Sequence, residues 1–258
     1  MTLLDAIFVG IVEGITEFLP ISSTGHMIVA SDLLGLVQDD TLKSFQVIIQ
    51  GAAVLAVVLY YWREIPTLRH LLPFVAIACV PVAGLGLLFE DQIKSLFSVS
   101  VVAWMFIIGG VIFLITEYFY SKKVKRSPGE LTSVENINIK QSLIIGLCQV
   151  LSLIPGTSRS GATIVGGLWL GLTRTAATEF SFLLAIPIVG GATLFDLSKS
   201  YNSFSGTDGL NLIVGFVSAF VIAYFSLGFL LKYVAKYSFV IFGYYRIVFG
   251  FLLLTFYI

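Results

Sequence analysis

Six apolar runs, at roughly 42–62, 68–89, 99–120, 174–196, 209–231 and 240–258, leave this chain few ways to fold. Each approaches or exceeds the ~20 helical residues that cross ~30 Å of hydrocarbon. Inside lipid, only helices and closed barrels satisfy their own backbone. Composition agrees: the chain is 57% hydrophobic and 12% charged, with a mean hydropathy of +0.98, outside the range of soluble domains. The expected fold is an all-α polytopic membrane protein, one membrane domain over 1–258. The net charge is zero, which says nothing of partners, and no nucleic-acid partner is expected. Cys79 and Cys148 lie in apolar runs without metal-ligand spacing and read as inert. The first run carries Asp5, Glu13 and Glu17 and lacks a basic flank and a small-residue cleavage site, so it reads as membrane domain rather than leader.

Four shorter apolar runs behave differently. They pair as 1–19 with 22–36 and 139–154 with 157–171, and only a Pro-, Gly- and Ser-bearing tip separates the arms of each pair. Such broken helices are tolerated at membrane depth where protein or a polar cavity surrounds them, so both pairs are expected to be re-entrant hairpins. An ungapped shift of 136 lays one on the other: Gly10 on Gly146, Glu13 on Gln149, Ser22 on Ser158, Thr24 on Ser160, Gly25 on Gly161. Repeat one then covers about 1–120, a linker about 121–138, and repeat two about 139–258. One hairpin and three spans per half make the repeats inverted in topology. Ten loop and helix-end Lys and Arg fall on one side and three on the other, which makes the first side cytoplasmic. The first hairpin then enters from outside.

Chemistry concentrates at the tips. On a helix, Glu13 and Glu17 stand four residues apart on one face. Pro20 is expected to end that helix, and the hydroxyls of Ser22, Ser23 and Thr24 to open the next. Two hairpin tips entering from opposite faces bring two helix N-termini to the midplane, an arrangement suited to an anion. Arg159 adds a planar fork for phosphate oxygens, and Ser158 and Ser160 add hydroxyls. Glu13 and Glu17 suit a divalent cation, Mg²⁺ or Ca²⁺. His26, about one turn beyond the tip, is placed to deprotonate a serine or a water.

Plainer readings compete. The carboxylates and Arg159 make a structural ion pair, but intramembrane charges more often mark function. Gln46 and Gln50 read as interhelical hydrogen-bond formers. Arg246, two turns inside the last run, reads as snorkelling or as a structural partner of Glu179. Glu117 and Asp196 read as interfacial.

The segments Glu13–His26 and Pro155–Thr163 closely resemble the two signature segments of the undecaprenyl-diphosphate phosphatases, the bacterial bacitracin-resistance family. The likeness extends through Gln50-Gly51-Ala52, Phe182–Pro187 and Tyr245-Arg246, and so over essentially the whole chain. It implies hydrolysis of undecaprenyl diphosphate to undecaprenyl phosphate and inorganic phosphate at the outer face of the bacterial cytoplasmic (inner) membrane, recycling the carrier for wall polymers. It implies a divalent cation and a polyprenyl diphosphate lipid as substrate, with a homodimer among the allowed states. Carried onto this sequence, the catalytic set is Glu17, Ser23, His26 and Arg159, with Glu13 and Glu17 on the metal. Ser22, Thr24, Gly25, Ser158, Ser160 and Gly161 form the substrate cradle. Leu153 stands where the repeat would place a second Glu17, so the site is expected to be single and asymmetric. Ser23 with His26 as its base is the first choice of nucleophile; water and His26 itself stay open. The rival is a carrier, such as a flippase for the lipid phosphate, because inverted repeats with broken helices also build alternating-access transporters. A hydroxyl tip beside a histidine is what a carrier does not need.

Overall fold

Every apolar run expected to span is a long helix in the computed structural model, which describes residues 1–126, 131–200, 204 and 206–257. In chain order the helices are α1 (Leu3–Thr16), α2 (Ser23–Leu33), α3 (Asp40–Tyr60), α4 (Ile65–Leu68), α5 (Leu72–Leu88), α6 (Glu90–Ser95) and α7 (Val99–Arg126). They continue as α8 (Ile139–Val150), α9 (Arg159–Trp169), α10 (Arg174–Ser200), α11 (Thr207–Val234) and α12 (Val240–Tyr257). Six stretches among the described residues are long and apolar enough to cross a membrane: α3, α4 through α5, α7 to Val124, α10, α11 and α12. Their outward faces carry Val80, Leu87, Phe225 and Phe256, each more than half exposed. In water that surface would be unstable, and in lipid it is solvated. The chain is a multi-span membrane protein. Part of the expected linker continues α7 and part, from Thr132, pairs its backbone with Gly171 and Thr173; residues 127–130 lie outside the described ones.

The two short hairpins follow one plan. Thr2 and Asn138, 136 apart, both cap their helices in a reciprocal box, Thr2 with Asp5 and Asn138 with Gln141. α2 and α9 begin and end at positions 136 apart. Ser22 and Ser158 are the two non-glycine residues of positive φ among the described residues, at 70° and 74°. That backbone costs about 1–3 kcal/mol at a residue with a Cβ, so two matched instances at the tips are a feature of the design. One boundary differs from expectation: α1 ends at Thr16, not at 19. Pro20 has no N–H to offer the Thr16 carbonyl, so the last turn loses its bond.

The chain gathers into two units, each drawn from both sequence halves. The first comprises Met1–Leu19, Ser23–Ile65 and Ala185–Leu230. Val9, Met27, Phe45, Ile49 and Ala219 form its core. α1 approaches α11 through Gly10 and Gly14, one turn apart: a Cβ at Gly10 would overlap the Gly215 carbonyl, and one at Gly14 would lie 2.6 Å from that of Ala219. Small residues at this spacing let helix backbones meet in lipid, where packing rather than water drives association. As expected of an interhelical bond former, Gln46 Nε2 donates to Ser31 Oγ at 2.9 Å.

The second unit comprises Pro20–Ser22, Pro66–Leu184 and Leu231–Ile258. Here α8 meets α5, and a Cβ at Gly146 would overlap the Ala78 carbonyl. Glu117 is 1% exposed rather than interfacial. Arg174 donates to both its oxygens, at 2.9 and 2.6 Å, and the Phe239 N–H donates to Oε1 at 2.9 Å at the start of α12. With Glu117 buried and Arg174 partly exposed, the intact pair contributes little net energy, but losing the arginine leaves a buried carboxylate without its cation.

Candidate active site

The first hairpin places its carboxylates as their spacing predicts. Glu13 is fully buried on α1, and Glu17 follows one turn on, still in helical conformation although α1 has formally ended. The chain then turns through Pro20 and the strained Ser22 before α2 opens at Ser23. This turn returns Ser23 Oγ to Glu17, and the hydroxyl donates to Oε2 at 2.6 Å. Short O–H···O⁻ bonds of this length are charge-assisted. Ser23, Gly25 and His26 are buried on α2, and Thr24 is half-buried. Glu17 is thus an acceptor for the Ser23 proton in addition to the expected base, His26.

The second hairpin builds a denser network of hydroxyls. Ser158, at the N-cap of α9, accepts from the Gly161 N–H at 3.1 Å, and its Oγ lies 3.1 Å from that of Ser160. Arg159 is the first residue of α9, and its NH1 donates to the Ser181 carbonyl at 2.9 Å. The Thr163 hydroxyl donates to Ser181 Oγ at 2.8 Å. α10 thus holds the guanidinium through the Ser181 carbonyl, and Thr163 of α9 ties the same serine.

What the sequence reading missed is Arg246. It neither snorkels nor leans on Glu179: it is fully buried, and its partners among the described residues are three carbonyls and a ring. NH1 donates to Pro20 O at 3.2 Å, and NH2 donates to Met105 O at 2.9 Å and Gly156 O at 3.0 Å. Phe106 lies beneath the guanidinium, 5.2 Å from centroid to Cζ. Pro20 and Gly156 are equivalent positions of the two hairpins, 136 residues apart. One cation therefore ties both tips, each two residues before a strained serine. Gly109 makes this fit, because a Cβ there would overlap the Arg246 guanidinium. An arginine deep in an apolar helix, with a Gly-Gly pair in another span, was the available signal.

The donor set fits a hard divalent cation of modest demands. Among the described residues no group of three or more His, Cys, Asp or Glu gathers. A cation here would rest on two carboxylates and complete its shell with water and phosphate oxygens, the habit of Mg²⁺.

Comparison with known proteins gives the family. The family described as Bacitracin resistance protein BacA matches residues 6–252. A protein of Sulfurimonas denitrificans named undecaprenyl-diphosphatase is 52% identical over 258 residues, covering 100% of both chains. Proteins of the same name from a Sulfurovum species and from Methanococcus aeolicus are 49% and 46% identical, covering 98% and 100% of this chain and 99% and 100% of their own. Matched by that family model over nearly its whole length, and by relatives about half identical from end to end, this chain belongs to the BacA family.

Proposed function

We propose that the chain hydrolyses undecaprenyl diphosphate to undecaprenyl phosphate and inorganic phosphate, the activity for which its relatives are named, and that the first hairpin tip does the chemistry. The observation that carries this is the 2.6 Å bond from Ser23 Oγ to Glu17 Oε2. A serine so held is oriented and has its proton acceptor in place. In our scheme Ser23 Oγ attacks the terminal phosphorus while its proton passes to Glu17 Oε2. The bond from that phosphorus to the bridging oxygen breaks, and the lipid phosphate leaves. Water then cleaves the phosphoserine, releasing inorganic phosphate and restoring the hydroxyl. His26, one turn along α2, serves as base for that water. Arg159 takes the terminal phosphoryl in a two-toothed grip, and the Ser158 and Ser160 hydroxyls line the cradle. A divalent cation held by Glu13 and Glu17 would neutralise charge developing on the transferred group and the bridging oxygen.

Phosphate release from a C55 prenyl diphosphate in detergent, with and without EDTA, tests the reading, and Arg159→Lys sharpens it. A lysine keeps the charge but not the fork, so turnover is expected to fall by about 10²-fold or more with little change in melting temperature. A fully active Arg159→Lys enzyme would exclude the clamp. No release by the wild type would leave the carrier reading standing.

The site opens to the outer face in this scheme, with both termini outside and the segment near Glu135 in the cytoplasm, as the distribution of basic residues supports. Cysteines replacing Val37, which is 78% exposed, and Glu135 report on this. In a background lacking Cys79 and Cys148, an impermeant thiol reagent added to sealed right-side-out membranes is expected to label the first only. Labelling of both, or of the second alone, would overturn the inverted arrangement.

A further inference from the structure

The polar side chains of the second hairpin mostly satisfy themselves. Ser142 O–H returns to the Asn138 carbonyl at 3.1 Å, Ser152 O–H to that of Gln149 at 2.7 Å, and Gln141 exchanges bonds with Asn138 at the helix start. Gln149 does not. It closes the buried stripe of α8 one residue before the helix ends, at the tip end of the hairpin. It is 0% exposed, and neither its Oε1 nor its Nε2 has a hydrogen-bond partner among the described residues. The Thr157 hydroxyl, at the tip itself, is likewise buried and unpartnered. A carboxamide in that state is worse for the folded protein than a leucine of similar size. Its presence asks for a ligand.

The chemistry of that ligand follows from the donors. Gln149 occupies the position that Glu13 holds in the first hairpin, 136 residues earlier. The carboxylate there suits a cation. The neutral amide here offers N–H donors without a negative charge, and two residues past Thr157 comes Arg159. Amide, hydroxyl and guanidinium on one hairpin together suit a tetrahedral oxyanion. We infer that Gln149 is a substrate-contacting residue that, with Thr157, donates to phosphate oxygens of the diphosphate held by Arg159. This rests on the phosphatase reading.

Gln149→Leu separates a ligand contact from a structural role. In the absence of phosphate the variant is expected to melt at or above the wild-type temperature, because an unpartnered amide has been replaced by an apolar group. Its KM for a prenyl diphosphate is expected to rise at least about tenfold, the loss of one hydrogen bond to a charged group. The thermal stabilisation that inorganic phosphate gives the wild type should shrink with it. Thr157→Val, nearly isosteric, should raise KM in the same direction by about threefold or more. Unchanged KM and an unchanged phosphate-induced shift in Gln149→Leu would overturn the inference, as would a melting temperature lowered without phosphate. Should Gln149→Leu fail to fold, an unaltered KM in Thr157→Val decides against it. If the wild type releases no phosphate, the phosphatase reading falls; if it does and Gln149→Leu behaves identically, this inference alone falls.

Discussion

Glu17→Gln is expected to lower turnover by about 10²–10⁴-fold, the range for losing a positioned proton acceptor, while the protein inserts and purifies as the wild type does. The glutamine keeps the shape that packs beneath Ser23 and loses the basicity that draws its proton. Ser23→Ala should be at least as damaging. The double variant should then be no worse than Ser23→Ala alone, because groups that act as one unit are not additive. Glu13→Gln provides the contrast. With no part in the Ser23 bond, its defect should be relieved in part by excess Mg²⁺ or Ca²⁺, since Glu17 still anchors the cation. Additive losses in the double variant would break the Ser23–Glu17 unit, and near-normal turnover of Glu17→Gln at saturating cation would remove the carboxylate from the reaction.

The parts of this molecule that were legible in its sequence are those governed by short-range rules. Apolar length fixed the six spans, because lipid admits little else of ~20 apolar residues. Caps and helix limits coincide at positions 136 apart, because local sequence dictates caps and turns. The i, i+4 spacing of Glu13 and Glu17 likewise needed only helical geometry. Two things did not follow. Ser23 lies three residues from His26 and six from Glu17, so sequence distance favoured the histidine. The turn at Pro20 and Ser22 brings the hydroxyl onto Glu17, and its path depends on a strained φ that no propensity announces. Arg246 was illegible for a different reason. Its partners are backbone carbonyls, which carry no side-chain signature, and they lie 90 to 226 residues away.

That long-range clasp carries the second large prediction. Replacing Arg246 with methionine keeps much of the buried volume but removes every donor. Two effects oppose each other. Relief of a buried charge favours the variant, since burying a guanidinium is costly. Against it, the Pro20 and Gly156 carbonyls, both in non-helical tips, lose this donor, at about 1–3 kcal/mol each. Nε has no partner among the described residues, so part of the desolvation stays uncompensated, but three donor bonds and an aromatic face offset the rest, and the orphaned carbonyls win. A net loss of about 2 kcal/mol corresponds to a melting temperature lower by roughly 4–8 °C in a chain of this size. Activity should suffer more than stability. Ser22 and Ser158 hold their positive φ only while the tips are pinned, and a displacement of about 1 Å at a reacting group costs about 10²-fold. Arg246→Met is therefore expected to retain a folded, detergent-soluble protein with turnover reduced by about 10²-fold or more. Arg246→Lys should fall between, since a single ammonium cannot span donors to three separated carbonyls. Gly109→Ala reaches the same clasp from the opposite helix without touching its charge, by pushing the guanidinium off the carbonyls. It should reproduce the loss of turnover with Arg246 still in place. Wild-type turnover in both Arg246→Met and Gly109→Ala would show that the tips hold their geometry without the clasp, and would return Arg246 to the role of a passive buried charge.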